Sequence, residues 1–80
     1  MERELAKHVV EVGFNSSRLL EDLIPLLHNH CDKEEGEKFI KAVASVLAEI
    51  GLEIFNKIYE QYPDLKIETE HKIQKYGKFL

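Results

Sequence analysis

The first thirty residues carry one apolar stripe at helical spacing. Hydrophobic positions recur every three or four residues, and charged residues occupy the opposite side of a helical wheel. The stripe stays in phase across residues 13–17, where the alternative is a short strand followed by a turn. We therefore predict one helix over residues 2–30, bent near Pro25, which lacks the amide that would bond the Glu21 carbonyl. The stripe consists of Leu5, Val9, Val12, Ser16, Leu19, Leu20, Leu23, Leu26 and Leu27.

A second amphipathic pattern predicts a helix over residues 33–62. Asp32 and Glu35 have the spacing of a capping box at its start, and Pro63 marks its end. Its apolar positions cover about 240° of the wheel, whereas a helix packed on one side needs only about 100°. One neighbouring helix cannot bury so wide an arc. Small residues within the arc would admit close approach, either of the first helix or of another subunit: Ala44, Ala48 and Gly51.

The last segment is compatible with two local structures. Apolar positions at helical spacing, with Asp64 as N-cap and Gly77 as the stop signal, predict a short helix over residues 64–77. Residues 65–70 also alternate between apolar and polar side chains as a strand does. We favour the helix.

The lengths of these helices predict the architecture. At 1.5 Å per residue each long helix reaches about 45 Å, whereas a compact chain of this size is only about 30 Å across. We therefore predict an all-α domain spanning residues 1–80, with two long antiparallel helices that turn near residues 29–32 and a short C-terminal helix. A second copy would complete a homodimeric four-helix bundle. The alternative is a monomeric three-helix bundle in which Gly13 or Gly51 breaks one long helix.

Self-association is predicted on the part of the wide arc that the first helix leaves uncovered. An apolar surface of this kind, in a chain too short to enclose two long helices, is typical of a subunit interface. The residues that we assign to this interface are Phe39, Val43, Val46, Ile50 and Ile54.

Composition and charge narrow the classes of partner and compartment. The single cysteine cannot form an internal disulfide, which indicates a reducing compartment, the cytoplasm. The first fourteen residues are too rich in charge for a signal peptide, and no apolar run approaches the ~20 residues of a membrane span. The net charge of −4 gives no basic patch for nucleic acid. A protein partner is the remaining class.

One cluster has the side chains of a metal site. His28, His30, Cys31 and Asp32 supply imidazole, thiolate and carboxylate near the end of the first helix. On a helix, however, the two histidines lie about 160° apart and cannot meet on one ion. The simpler interpretation gives each residue a structural role, with the histidines at the negative end of the helix dipole, Asp32 as a cap and Cys31 as a small apolar side chain.

No set of residues indicates catalysis or a cofactor site. The carboxylate pairs lie on the polar side of the second helix, the chain has no glycine-rich phosphate loop, and the cysteine is not flanked by a strand-turn-helix elbow. We predict a small non-catalytic helical protein that self-associates and serves as an adaptor or regulatory protein-interaction module. The alternatives are a metal-binding protein that uses the histidine and cysteine cluster, and a small acidic inhibitor or immunity-type protein.

Overall fold

The computed structural model describes residues 1–77, and every regular element in that range is a helix. Two long antiparallel arms form a hairpin, and a shorter helix follows. This confirms the predicted all-α class with two long helices and a C-terminal one. The first arm consists of α1 (Arg3–Glu21) and α2 (Leu23–His30), the second of α3 (Lys33–Glu49), a π-helix (Ile50–Phe55) and α4 (Asn56–Gln61), and the chain continues as α5 (Pro63–Tyr76).

The first arm is continuous through residues 13–17, as its in-phase stripe predicts, and it is interrupted at Asp22 instead. Pro25 has no amide to donate to the Glu21 carbonyl, so regular α-helical bonding ends there. Asp22 keeps helical backbone angles, with φ −64° and ψ −18°. The apolar stripe therefore continues from α1 into α2.

The turn between the arms is fixed by one cap and one close approach. The Asp32 carboxylate accepts a hydrogen bond of 2.9 Å from the Glu35 amide, which confirms the predicted cap. Gly36 is buried against the end of α2, where a Cβ would lie 3.3 Å from the Leu27 carbonyl oxygen. The absence of a side chain at this position lets the two arms begin in direct contact.

The second arm widens into a π-helix in its middle. The Asn56 amide bonds the Gly51 carbonyl, five residues back instead of four. This segment sets the Phe55 ring against Gly13 of α1, so closely that a Cβ on Gly13 would lie 2.7 Å from the Phe55 Cε1 atom. The two arms therefore meet at a glycine that an aromatic ring covers.

Of the two packing partners left open for the small residues, the structure excludes the first arm, and the N-cap role predicted for Asp64 is wrong. Ala44 and Ala48 are exposed, and a Cβ on Gly51 would meet no atom within 4 Å, so this stripe does not pack on the first arm. Close approach occurs instead at the two glycines described above. Asp64 is not an N-cap, because Pro63 already occupies the first turn of α5 and Tyr62 precedes it as the cap residue.

The end of α5 agrees with its predicted stop signal. Gly77 adopts the left-handed conformation, with φ 70°, and its amide bonds the Ile73 carbonyl at 2.8 Å. Residues 65–70, which could also have formed a strand, are helical.

The buried core lies at one end of the hairpin, where α1, α4 and α5 meet. Its four buried hydrophobic residues have Val9, Phe55, Tyr59 and Tyr62 packed around them. Thr69 is buried beside them. The four core residues are Ala6, Val10, Ile58 and Leu65.

Ion pairs join α5 to the start of α1. The Arg3 guanidinium donates a hydrogen bond to the Asp64 carboxylate. The nearest carboxylate oxygen of Glu68 lies 3.5 Å from Nη2 of Arg3, 3.7 Å from Nζ of Lys7 and 3.8 Å from Nζ of Lys72. All of these side chains are partly exposed, so each pair adds little by itself. Together they set the direction in which α5 lies along α1.

The resulting molecule is long and flat. It measures 45 × 25 × 15 Å, with a radius of gyration of 14.8 Å. A compact chain of eighty residues would have a radius of gyration of about 12 Å. The hairpin is therefore too extended to enclose its own apolar surface.

Replacing Gly13 with alanine is expected to destabilise the protein by about 1 to 3 kcal/mol, because the Phe55 ring would have to move away. Gly51→Ala is the matched control, since a Cβ there has open space. Alanine favours helix over glycine, so the control should be neutral or up to about 1 kcal/mol more stable. Urea denaturation at one chain concentration compares the three proteins. Equal effects of the two substitutions would contradict the close contact at Gly13.

The Arg3 guanidinium holds the pKa of Asp64 below its usual value, mainly through the hydrogen bond that it donates to the carboxylate. A carboxyl group with a lower pKa in the folded chain adds stability above its unfolded pKa, about 4, and loses it as the pH falls through the folded pKa. Asp64→Asn should therefore be less stable than the parent chain at neutral pH, and the difference should close below about pH 4. Urea denaturation across this pH range measures it. A difference that persists in strong acid would show that the carboxylate charge is not its source.

Candidate interaction surface

One broad side of the hairpin is apolar and uncovered, because α5 lies along a different side of α1. Exposed or half-buried residues from both arms, all apolar except Ser16, make up this side, which we call the uncovered face. On the first arm they follow the helical stripe, and on the second arm they are the residues predicted for self-association. The uncovered face comprises Leu5, Val9, Val12, Ser16, Leu19, Leu23 and Leu26 of the first arm and Phe39, Val43, Val46, Ile50 and Ile54 of the second.

A groove joins the two arms in the middle of this face. It has a volume of 390 Å³, and Ile50 and Ile54 form one of its walls. Val9, Val12 and Ser16 form the other wall, and the floor is at Gly13. Because one groove is lined by residues of both arms, the apolar stripes of the two arms face the same side of the hairpin.

The five residues predicted for self-association differ in how far the chain itself buries them. Phe39, Val46 and Ile54 are exposed, while Val43 and Ile50 are half-buried. The structure thus places all five at the uncovered face, and their role as an interface remains a prediction. The contact that holds the two arms together is made elsewhere on the second arm, where the Phe55 ring packs against Gly13.

The stripe of the first arm divides into two sets, which the helical wheel alone does not separate. Leu20 and Leu27 are half-buried, in the same helical phase as Gly13 beneath the second arm. The other leucines of the stripe are exposed, and Leu19 reaches 71%. A signal in the sequence could have separated the two sets. The residues that lie on the uncovered face are spaced alternately four and three residues apart.

Charged side chains border the first arm's part of the face. Arg18 and Asp22 line a shallow cleft together with Asn15 and Leu19. Glu11 lies two turns before Arg18 on the same side of the helix. The face is therefore an apolar strip with a polar rim, the usual composition of a protein interface.

The predicted metal cluster is not assembled. His28, Cys31 and Asp32 line one cavity of 350 Å³ at the turn, but His30 does not line it. The Asp32 carboxylate is engaged as a helix cap. Over residues 1–77, no three or more histidine, cysteine or acidic side chains are grouped so that they could hold a metal ion.

Two serine hydroxyls and one carboxylate of the long helices have hydrogen-bond partners within their own helix. Ser17 and Ser45 each donate a hydrogen bond to a carbonyl one turn earlier in the same helix, at 2.9 and 3.1 Å. Glu53 accepts a hydrogen bond of 2.9 Å from Lys57, and this bond raises the pKa of the lysine. These groups are engaged within their own helices and do not converge on a common point.

None of the helices within residues 1–77 combines the length and the apolar character that crossing a bilayer requires. Comparison of the chain with protein-family models, with curated proteins and with solved structures finds no match.

Proposed function

We propose that this chain is a non-catalytic helical protein that self-associates and serves as an adaptor or regulatory module in protein–protein interactions. Two hairpins pack with their uncovered faces together and complete a homodimeric four-helix bundle. The observation that carries this proposal is the uncovered face itself, an apolar strip that runs along both arms. Monomeric proteins rarely expose so long a contiguous apolar surface.

The accessible surface of the chain supports a second copy as the partner. A compact protein of 9.3 kDa exposes about 5,000 Å², whereas this chain exposes 5993 Å². The excess, about 1,000 Å², is close to the ~800 Å² that each partner contributes to a stable interface of standard size. One further copy would therefore remove the surplus surface.

The spacing on the first arm points to the same kind of contact. Positions that alternate four and three residues apart form the seam of a coiled coil or a four-helix bundle, where each side chain enters a hole on the facing helix. The half-buried Ile50 and the exposed Val46 extend the apolar surface onto the second arm. Two helices per chain with apolar seams on one side are what a two-chain bundle requires.

The chemistry of the remaining surface supports a binding role. The net charge of −4 disfavours nucleic acid as the partner. The free Cys31 fits a reducing compartment such as the cytoplasm. With the uncovered face closed by the second copy, the outer sides of the bundle would be left for another protein.

The test is the solution mass of the parent chain and of two variants matched for exposure. Light scattering after size exclusion should give about twice 9.3 kDa for the parent. Leu19→Glu should give a monomer, because the dimer would bury a charge, which costs several kcal/mol and weakens association more than about 100-fold. Ile67→Glu is the control, since Ile67 on α5 is 71% exposed, as Leu19 is. It should remain dimeric.

Circular dichroism separates loss of the dimer from loss of the fold. Leu19 is exposed in the single chain, so Leu19→Glu should keep its helical signal while its mass halves. A parent chain that stays monomeric over a wide concentration range contradicts the proposed self-association. So does a Leu19→Glu variant that remains dimeric.

A further inference from the structure

We propose that the second copy docks antiparallel, with the first arm on the first arm and the turns of the two hairpins at opposite ends. The two-fold axis crosses the groove between Val12 and Ser16. This inference rests on the proposed self-association and adds its direction and register. Two identical hairpins can close face to face in only one other way, with both turns at the same end and each first arm on the partner's second arm.

Six of the seven first-arm positions of the uncovered face, all but Leu26, have a spacing that reads the same in both directions about this axis. From Leu5 to Leu23 the gaps are four, three, four, three and four residues. Reversal about a point between Val12 and Ser16 therefore sets Val9 level with Leu19, and Leu5 level with Leu23. Positions that lie level across two antiparallel helices form layers in which each side chain enters a hole on the facing helix.

The second arm accepts the same axis. Ile50 lines the groove together with Val12 and Ser16, so it lies at the height of the axis. Reversal at this height sets Ile50 beside Ile50 of the second copy. One axis thus brings the apolar stripe of each arm against its own counterpart, as a symmetric dimer of hairpins requires.

Charges at the rim distinguish the two arrangements. With the turns at opposite ends, Glu11 lies beside Arg18 of the second copy, and His8 lies beside Asp22. Symmetry repeats each of these pairs. With the turns at the same end, Glu11 would instead face the second arm near Glu53, whose carboxylate is already paired with Lys57, and it would gain no free basic partner. Opposite charges at the border of a helical seam select partner and direction.

Disulfide trapping tests the direction in chains that carry Cys31→Ala. Val9→Cys and Leu19→Cys chains are mixed in denaturant, refolded together and treated with a mild oxidant. The proposal expects a cross-linked heterodimer, because these two positions lie level across the axis. Val9→Cys mixed with Ile54→Cys is the matched alternative, since Val9 and Ile54 share a height in the hairpin and would meet only if both turns lay at the same end. Cross-linking in that mixture alone overturns the proposal.

Exchange of charges supplies a second test that needs no cysteine. Glu11→Arg should weaken the dimer about tenfold, because two attractive pairs become repulsive. Glu11→Arg combined with Arg18→Glu should restore the parent affinity, measured by the concentration dependence of the mass. If the turns lie at the same end, Glu11→Arg breaks no attractive pair and leaves the affinity of the dimer unchanged or higher, which overturns the proposal.

The two proposals fail in different ways. A monomeric parent chain overturns the self-association together with its direction. A dimeric parent that cross-links only through Val9→Cys and Ile54→Cys keeps the self-association and overturns the antiparallel docking. Ser45→Cys, on the outer side of the second arm, controls for random collision and should not form a cross-linked dimer.

Discussion

Helix length is the constraint on which the rest of this structure depends. The two arms use most of the chain and extend over 45 Å, whereas the fourteen residues of α5 reach only about 21 Å at 1.5 Å per residue. A helix of that length covers one side of one end of the hairpin. The buried residues are accordingly concentrated beneath it, around Val10 and Leu65, and the remaining length of both arms keeps an apolar side open. Dimensions alone thus create the surface on which the functional proposals depend.

The π-helix serves both the closed and the open side of the second arm. Between Val46 and Ile54 a regular α-helix would rotate by about 80°, which would carry Ile54 away from the uncovered face. The extra residue in a π turn delays this rotation, and Ile54 remains beside Ile50 in the groove. The same wide turn directs Phe55 onto Gly13. A single local irregularity thereby holds the hairpin together and keeps the exposed stripe in line.

Features set by neighbours in sequence were predictable, and features set by contacts between segments were not. Asp32 and Gly77 mark helix ends through hydrogen bonds within one turn, so their residue types suffice. The π-helix depends on how Phe55 meets the other arm, and Asp64 acts through Arg3, sixty-one residues away. At the uncovered face, the excess apolar arc identified the second arm's residues. The first arm's share was not predicted, because a helical wheel cannot say which part of a stripe a neighbour covers.

The attachment of α5 makes one part of the fold sensitive to the ionic surroundings. Few buried side chains hold this helix to α1, and the ion pairs beside them are exposed to solvent. Salt screens such pairs over a Debye length of about 8 Å at physiological ionic strength. Helices with so little buried contact open at a lower free energy than the body of a protein. Opening would expose Ala6 and Val10 of α1 to solvent. Rising salt would therefore loosen the covered end of the hairpin while leaving the contact between the two arms at Gly13 in place.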